Sequence, residues 1–194
     1  MKGLKQLLKI PPTLKIKKLD LSNEKIDAGI LLNRDFRMLK ILLLRNTQVV
    51  DVRALASLTN LETLHLDNTQ VVDVSGLGSL TKLKELYLHD SLVEDVSDLA
   101  SLTKLKTLHL DNTNVVDVCP LKTLTKLETL CLSDTQVEDV SDLKSLTKLK
   151  ELYLGHTQVR VVSDLKSLTK LETLHLNNTQ VSDVSDLKSL TKLK

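Results

Sequence analysis

The sequence predicts an α/β solenoid: a curved right-handed coil with a parallel sheet on its concave side and short helical or 3-10 turns on its convex side. Three observations carry this expectation. Aligning the chain on its leucines gives seven units of 22 residues without insertion or deletion, at 39–60, 61–82, 83–104, 105–126, 127–148, 149–170 and 171–192, and a period of this length marks a stacked coil. Within each unit a short alternation such as Leu64-x-Leu66 has the two-residue period of a strand. The alternation then breaks at a polar run, Asp67-Asn68-Thr69-Gln70, before Val71, Val74, Leu77 and Leu80 return to apolar columns that every unit repeats.

Each part of the unit follows from its residues. Leu64 and Leu66 face one way and residues 63, 65 and 67 the other, as a pleated strand requires. Asn68 and Thr69 begin a turn, Val71 and Val74 dip into the core, and Ser75 to Leu80 are short enough for one helical turn on the back. The serine that opens this turn, Ser75 or its counterparts Ser97, Ser141, Ser163 and Ser185, is expected to cap it by accepting backbone N–H groups. A single unit cannot bury seven aliphatic columns by itself, so stacking of units is the folding event.

At the ends the pattern weakens. Residues 1–15 are expected to form an N-terminal capping segment, with Leu7, Ile10 and Leu14 against the first repeat, and 16–38 a degenerate first repeat of 23 residues that keeps Ile16, Leu19, Leu21 and Ile26. Residues 193–194 begin an eighth unit with no polar cap after them, which predicts either a fragment of a longer protein or an end face covered by another chain.

The pattern LxxLxLxxTxVxDVSxLxxLTx resembles the leucine-rich repeat family, in particular the 22-residue kind of internalin-like bacterial proteins and of a regulatory subunit of a protein phosphatase. The resemblance is strong over 39–192 and weak over 16–38. It implies the solenoid and a binding role, and says little about which partner. One departure stands out. The turn position the family usually fills with asparagine is threonine here (Thr47, Thr69, Thr113, Thr135, Thr157, Thr179), with serine at Ser91. A hydroxyl donates once and an amide twice, so a hydroxyl ladder with weaker stitching between turns is expected, with a structural role for these residues.

Composition narrows the function. The chain has 194 residues, 41% of them hydrophobic, with one phenylalanine, two tyrosines and no tryptophan, so equivalent aliphatic side chains fill the core. No stretch approaches the roughly 20 apolar residues of a membrane-spanning helix, and the lysine-rich N-terminus lacks the apolar centre of a secretory signal. Together with only two cysteines, Cys119 and Cys131, placed in different parts of the repeat, this predicts a cytoplasmic protein that does not engage a membrane. Net charge is +2, but residues 1–40 carry ten Lys/Arg against four Asp/Glu, a basic end on an acidic body read as a solvated terminal segment.

The outward strand positions form columns, strands lying about 4.8 Å apart. The central one reads Leu43, His65, Tyr87, His109, Cys131, Tyr153, His175, and beside it run Arg45, Asp67, His89, Asp111, Ser133, Gly155, Asn177. Core columns hardly change, while these vary. Flat aromatic and imidazole groups flanked by acids and amides suit protein contact, and with Arg45 as the one cation here, nucleic acid is disfavoured. The expected partner-binding residues are His65, Asp67, Tyr87, His89, His109, Asp111, Cys131, Ser133, Tyr153, His175 and Asn177.

Two chemical alternatives are set aside. His65, His89 and His109 with Asp67, Asp90 and Asp111 are within reach of a weak Zn²⁺ or Ni²⁺ site, but their spacing comes from the repeat, and no residues that would orient such ligands are evident, so no metal and no cofactor is assigned. Cys131 beside His109 has no implied oxyanion hole or enclosed pocket, so no enzyme is expected. On the convex side Asp98, Asp142, Asp164 and Asp186 alternate with Lys104, Lys126, Lys148, Lys170 and Lys192 as a solubilising shell. The reading is therefore a non-enzymatic protein-interaction module with its partner on the concave sheet. The alternative is a structural spacer or repeat fragment of a larger protein.

Overall fold

The structure, a computed structural model, describes residues 15–26 and 36–194. Among these, eight strands of three residues each, β1 Lys18–Asp20, β2 Ile41–Leu43, β3 Thr63–His65, β4 Glu85–Tyr87, β5 Thr107–His109, β6 Thr129–Cys131, β7 Glu151–Tyr153 and β8 Thr173–His175, form one sheet in sequence order. Every neighbouring pair is parallel and in register, so Leu64 lies beside Leu86 and Leu86 beside Leu108. The α/β solenoid is as expected, with 3-10 turns at Arg53–Ser57, Ser75–Leu77, Ser97–Ser101, Cys119–Thr123, Ser141–Ser145, Ser163–Ser167 and Ser185–Ser189 on the side opposite the sheet. No helix among the described residues is long and apolar enough to cross a membrane. The expected capping contacts of Leu7, Ile10 and Leu14 lie outside the described residues.

Stacking accounts for the core. In the unit from Leu83 the seven apolar columns, Leu83, Leu86, Leu88, Val93, Val96, Leu99 and Leu102, are fully enclosed. In the unit from Leu171 the same columns hold Leu174, Leu176, Val181 and Leu187 only partly buried, and Val184 is 54% exposed. Identical residues lose their enclosure where no unit stacks on their outer side, so burial belongs to the interface between units and not to the unit.

The turn chemistry differs from the expectation in two places. Where a serine opens the 3-10 turn, it does not cap it. The cap is the aspartate two residues earlier: Asp73 accepts the backbone N–H of Ser75 at 2.8 Å, and Asp51, Asp95, Asp117, Asp139 and Asp183 accept in the same way at 2.7–2.9 Å. A carboxylate reaching forward two residues makes an Asx-type turn, whereas a hydroxyl already inside the turn points away from the free N–H groups. Ser75 instead donates its own hydroxyl to Asp73 at 3.0 Å. In the unit from Leu149 the aspartate is replaced by Val161, whose side chain is 66% exposed.

The threonine ladder is also absent among the described residues. Each Thr hydroxyl, or that of Ser91, donates to the leucine carbonyl three residues back in its own unit, at 2.6–2.8 Å. Stitching between units comes from the residue before it. Asn46 donates to Asn23 at 2.8 Å, Asn68 to Asn46 at 2.6 Å and Asn112 to Asp90 at 2.6 Å. These residues sit in the left-handed region, with φ between 51° and 64° from Asn23 through Asn178, which Asn and Asp tolerate better than other side chains. That reversal is what turns the chain out of the sheet after Asp67. A hydroxyl ladder does exist on the turn side, where Ser79, Ser101, Thr123, Ser145, Ser167 and Ser189 donate to a carbonyl of the preceding unit at 2.6–3.3 Å.

Candidate interaction face

The middle leucine of each three-residue strand points into the core and its neighbours point out, which turns the repeat period into rows of polar and aromatic groups. The central row is packed ring on ring. His65 stacks on Tyr87 with centroids 3.9 Å apart and planes 7° apart, Tyr87 meets His109 at 4.9 Å, and Tyr153 meets His175 at 4.8 Å. Between the two aromatic groups Cys131 Sγ lies 3.8 Å from His109 Nε2.

The expected contact residues divide by exposure. His65, Asp67 and Cys131 are buried, at 6%, 7% and 5% exposure, so they shape the floor more than they offer surface. Tyr87, His89, His109, Asp111, Ser133 and Tyr153 are half-buried, and His175 and Asn177 are exposed. The buried corner is held by Arg45, whose guanidinium reaches His65 Nδ1 at 2.7 Å and Asp67 Oδ2 at 3.3 Å. His65 Nδ1 is also 3.0 Å from Asp67 Oδ1. That nitrogen serves one partner at a time: with its hydrogen it donates to Asp67, and without it accepts from Arg45. Burial pushes the Asp67 carboxyl up, but the hydrogen bond from His65 and the charges of His89 and Arg45 outweigh it, leaving its pKa below the ordinary carboxylate value.

Protonation limits the chemistry of the face. Burial, then the carboxylates of Asp111 and Glu151, push the Cys131 thiol up to about 12. It stays protonated at neutral pH, where a thiol is a poor nucleophile. Burial, then the charge of Glu151, raises the Tyr153 phenol, and burial followed by Glu85 does the same for Tyr87. Both tyrosines are neutral donors.

One feature was not singled out from the sequence, and another was weighed there and set aside. Along the strand entry, Glu62 accepts from Lys40 and from Lys84 at 2.5 Å each, and Glu128 accepts from Lys150 at 2.7 Å with Lys106 at 3.4 Å. Hydrogen bonds from Lys40 and Lys84 bring Glu62 down to about 2. The recurrence of lysine and glutamate in one column at 22-residue intervals (Lys40, Glu62, Lys84, Lys106, Glu128, Lys150) was the available signal. The second is a convergence of side chains: one potential ligand atom from each of His89, His109 and Asp111, all within 4.8 Å of one another.

The family model described as Leucine Rich repeats (2 copies) matches six overlapping segments, 37–79, 59–101, 81–123, 103–145, 125–168 and 147–189. The chain belongs to the leucine-rich repeat family. Among solved structures this leucine-rich repeat protein is similar to an internalin C2 from Listeria monocytogenes, with a TM-score of 0.88 and 32% identity over 92% of this chain and 78% of that one. It shares its fold with a leucine-rich repeat protein of Leptospira interrogans (TM-score 0.87, 24% identity, 98% of this chain and 50% of that one). The fold is shared as well with the plant peptide hormone receptor RGFR1 in complex with RGF2 (TM-score 0.77, 19% identity, 94% and 34%). No curated protein sequence matches. Repeats of this family are commonly protein-interaction modules, and the internalin neighbour agrees with the resemblance drawn from the repeat pattern.

Proposed function

We propose that this leucine-rich repeat protein is a non-enzymatic interaction module that binds a partner protein on its concave sheet. The observation that carries the reading is the row of half-exposed Tyr87, His109 and Tyr153 with exposed His175, in which Tyr87 meets His109 and Tyr153 meets His175 in tilted ring contacts, flanked by Asp111, Ser133 and Asn177. Aromatic groups already fixed by their neighbours lose little entropy on contact, and the leucines below are consumed by stacking, so the face is rigid before any partner arrives. The one cation of these rows, Arg45, is engaged with Asp67, which favours a partner bringing basic or hydrogen-bonding groups over one bringing phosphates. The plant receptor that shares this fold was solved in complex with RGF2, in keeping with recognition by this architecture. A protonated Cys131 argues against a thiol enzyme. Both cysteines are free, which suits the reducing cytoplasm as the proposed location.

The test compares faces. A double variant, Tyr87→Ala with Tyr153→Ala, is used for affinity capture beside Lys122→Ala with Lys144→Ala on the turn side, each first shown to melt as the parent does. The reading expects a specific partner to be lost from the sheet variant and kept by the turn variant. A sheet variant that retains every captured protein favours the spacer and overturns the module.

A further inference from the structure

We propose that His89, His109 and Asp111 bind a divalent transition-metal ion of the zinc or nickel class on the sheet face, independently of any protein partner. The three residues come from β5 and the ends of two successive strand segments, and they offer two imidazole nitrogens and a carboxylate oxygen within 4.8 Å of one another. Zinc holds such atoms at about 2.0–2.2 Å, which places tetrahedral neighbours ~3.4 Å apart. His109 Nδ1 and Asp111 Oδ2 already lie 3.5 Å apart, and rotation of half-exposed rings closes the rest.

Two further observations point to a ligand. His89 Nδ1 is buried and has no hydrogen-bond partner. A buried polar atom of this kind carries a desolvation cost until something occupies it. Its other nitrogen, Nε2, faces the Asp67 carboxylate at 4.0 Å. A carboxylate behind the far nitrogen is how metal-binding imidazoles are oriented, and here Asp67 is itself fixed by Arg45 and His65. At 4.0 Å Asp67 lies just beyond hydrogen-bond reach of that nitrogen, so the ring rotation that gathers the ligands has to close this gap as well. His65 is excluded as a ligand because it is buried, stacked on Tyr87 and committed to Arg45 or Asp67.

The donor set selects the ion. Two nitrogens and one oxygen suit zinc or nickel, while calcium and magnesium require oxygen ligands throughout. With three protein ligands and a half-exposed setting, a coordination position remains open for water. Binding here links two adjacent units on the sheet face.

The experiment is calorimetric titration of the full chain, free of any affinity tag, with zinc chloride alone. One equivalent is expected, with the affinity falling at least ~10-fold in His89→Gln and again in Asp111→Asn, a loss no smaller than that of removing an orienting residue. His156→Gln, an exposed histidine elsewhere on the molecule, keeps the parent affinity. Cobalt as a probe should give ligand-field bands that Asp111→Asn abolishes. Absence of saturable binding, unchanged affinity in both ligand variants, or loss in His156→Gln instead overturns the proposal. Thermal melts establish folding, and the half-exposed Asp111 variant keeps the test decisive if His89→Gln is unstable. Because no partner protein enters, the result stands apart from the fate of the interaction reading.

Discussion

Replacing Val161 with aspartate should stabilise the protein. Six of the seven 3-10 turns among the described residues begin under a carboxylate that accepts the N–H two residues ahead at 2.7–2.9 Å. The seventh, at Ser163–Ser167, has Val161 in that place, 66% exposed and therefore contributing little to the core. Loss of a capping side chain costs ~0.5–2 kcal/mol, so its introduction at an exposed site should yield about 0.5–1 kcal/mol, in the lower half of that range. For a chain of this size about 1 kcal/mol moves Tm by roughly 2–4 °C. Asp139→Ala, one unit earlier, should lose a similar amount. The gain should also depend on pH with a definite sign. The backbone N–H and hydroxyl of Ser141 hold Asp139 below the ordinary carboxylate value, and a carboxyl depressed on folding contributes stability above its unfolded pKa of about 3.9 and loses it as pH falls through the lower folded value. Thermal melts of Val161→Asp and parent at pH 7 and then below about pH 4 read this directly. No gain at neutral pH, or a gain that survives protonation undiminished, refutes the capping argument.

Three other outcomes follow from the same geometry. Thr135→Val should cost about 1–3 kcal/mol by leaving the buried Leu132 carbonyl without the hydroxyl that donates to it at 2.6 Å, whereas Thr135→Ser should nearly preserve stability in a denaturant melt. Gly76→Ala should destabilise by about 1–3 kcal/mol, more than the ~0.4–1 kcal/mol gained by restricting the unfolded chain, because the new methyl would meet backbone of Arg53 at 2.6 Å; Gly155→Ala, facing only the movable Asn177 side chain at 2.7 Å, should be milder. Iodoacetamide at neutral pH should label the partly exposed Cys119 while sparing Cys131, with mass spectrometry of peptides reporting the order and unfolding abolishing the difference.

The fold was legible because its determinants are local and repeated. Leu64, Leu66, Val71 and Leu77 recur at one period, and stacking units at that period encloses all their columns. The sheet rows were legible too, since strand alternation sends His65, Tyr87 and His109 outward whatever their chemistry. What the pattern does not contain is how neighbouring rows interact. Arg45 folding over His65 and Asp67 buries two residues expected at the surface, and that depends on side-chain length in the adjacent unit. Turn chemistry misled for a related reason. Ser75 and Asp73 are both capping residues by type, and only the direction of the free N–H groups distinguishes them. Likewise Thr69 and Asn68 share one turn, but the left-handed residue is the one whose side chain projects along the stack to the preceding unit. The convergence of His89, His109 and Asp111 required rotamers, which no spacing supplies.

The central claim is that each unit is held by its neighbours, and residue-resolved hydrogen exchange tests it most directly. The amides of Leu66, Leu88, Leu110, Leu132 and Leu154 donate to the next strand at 2.8–2.9 Å. Stacking predicts slow exchange for Leu88, Leu110 and Leu132, with protection falling through the unit from Leu171, where the same leucines are only partly covered. Equal protection along the whole chain, or a terminal unit slower than the central ones, would contradict it.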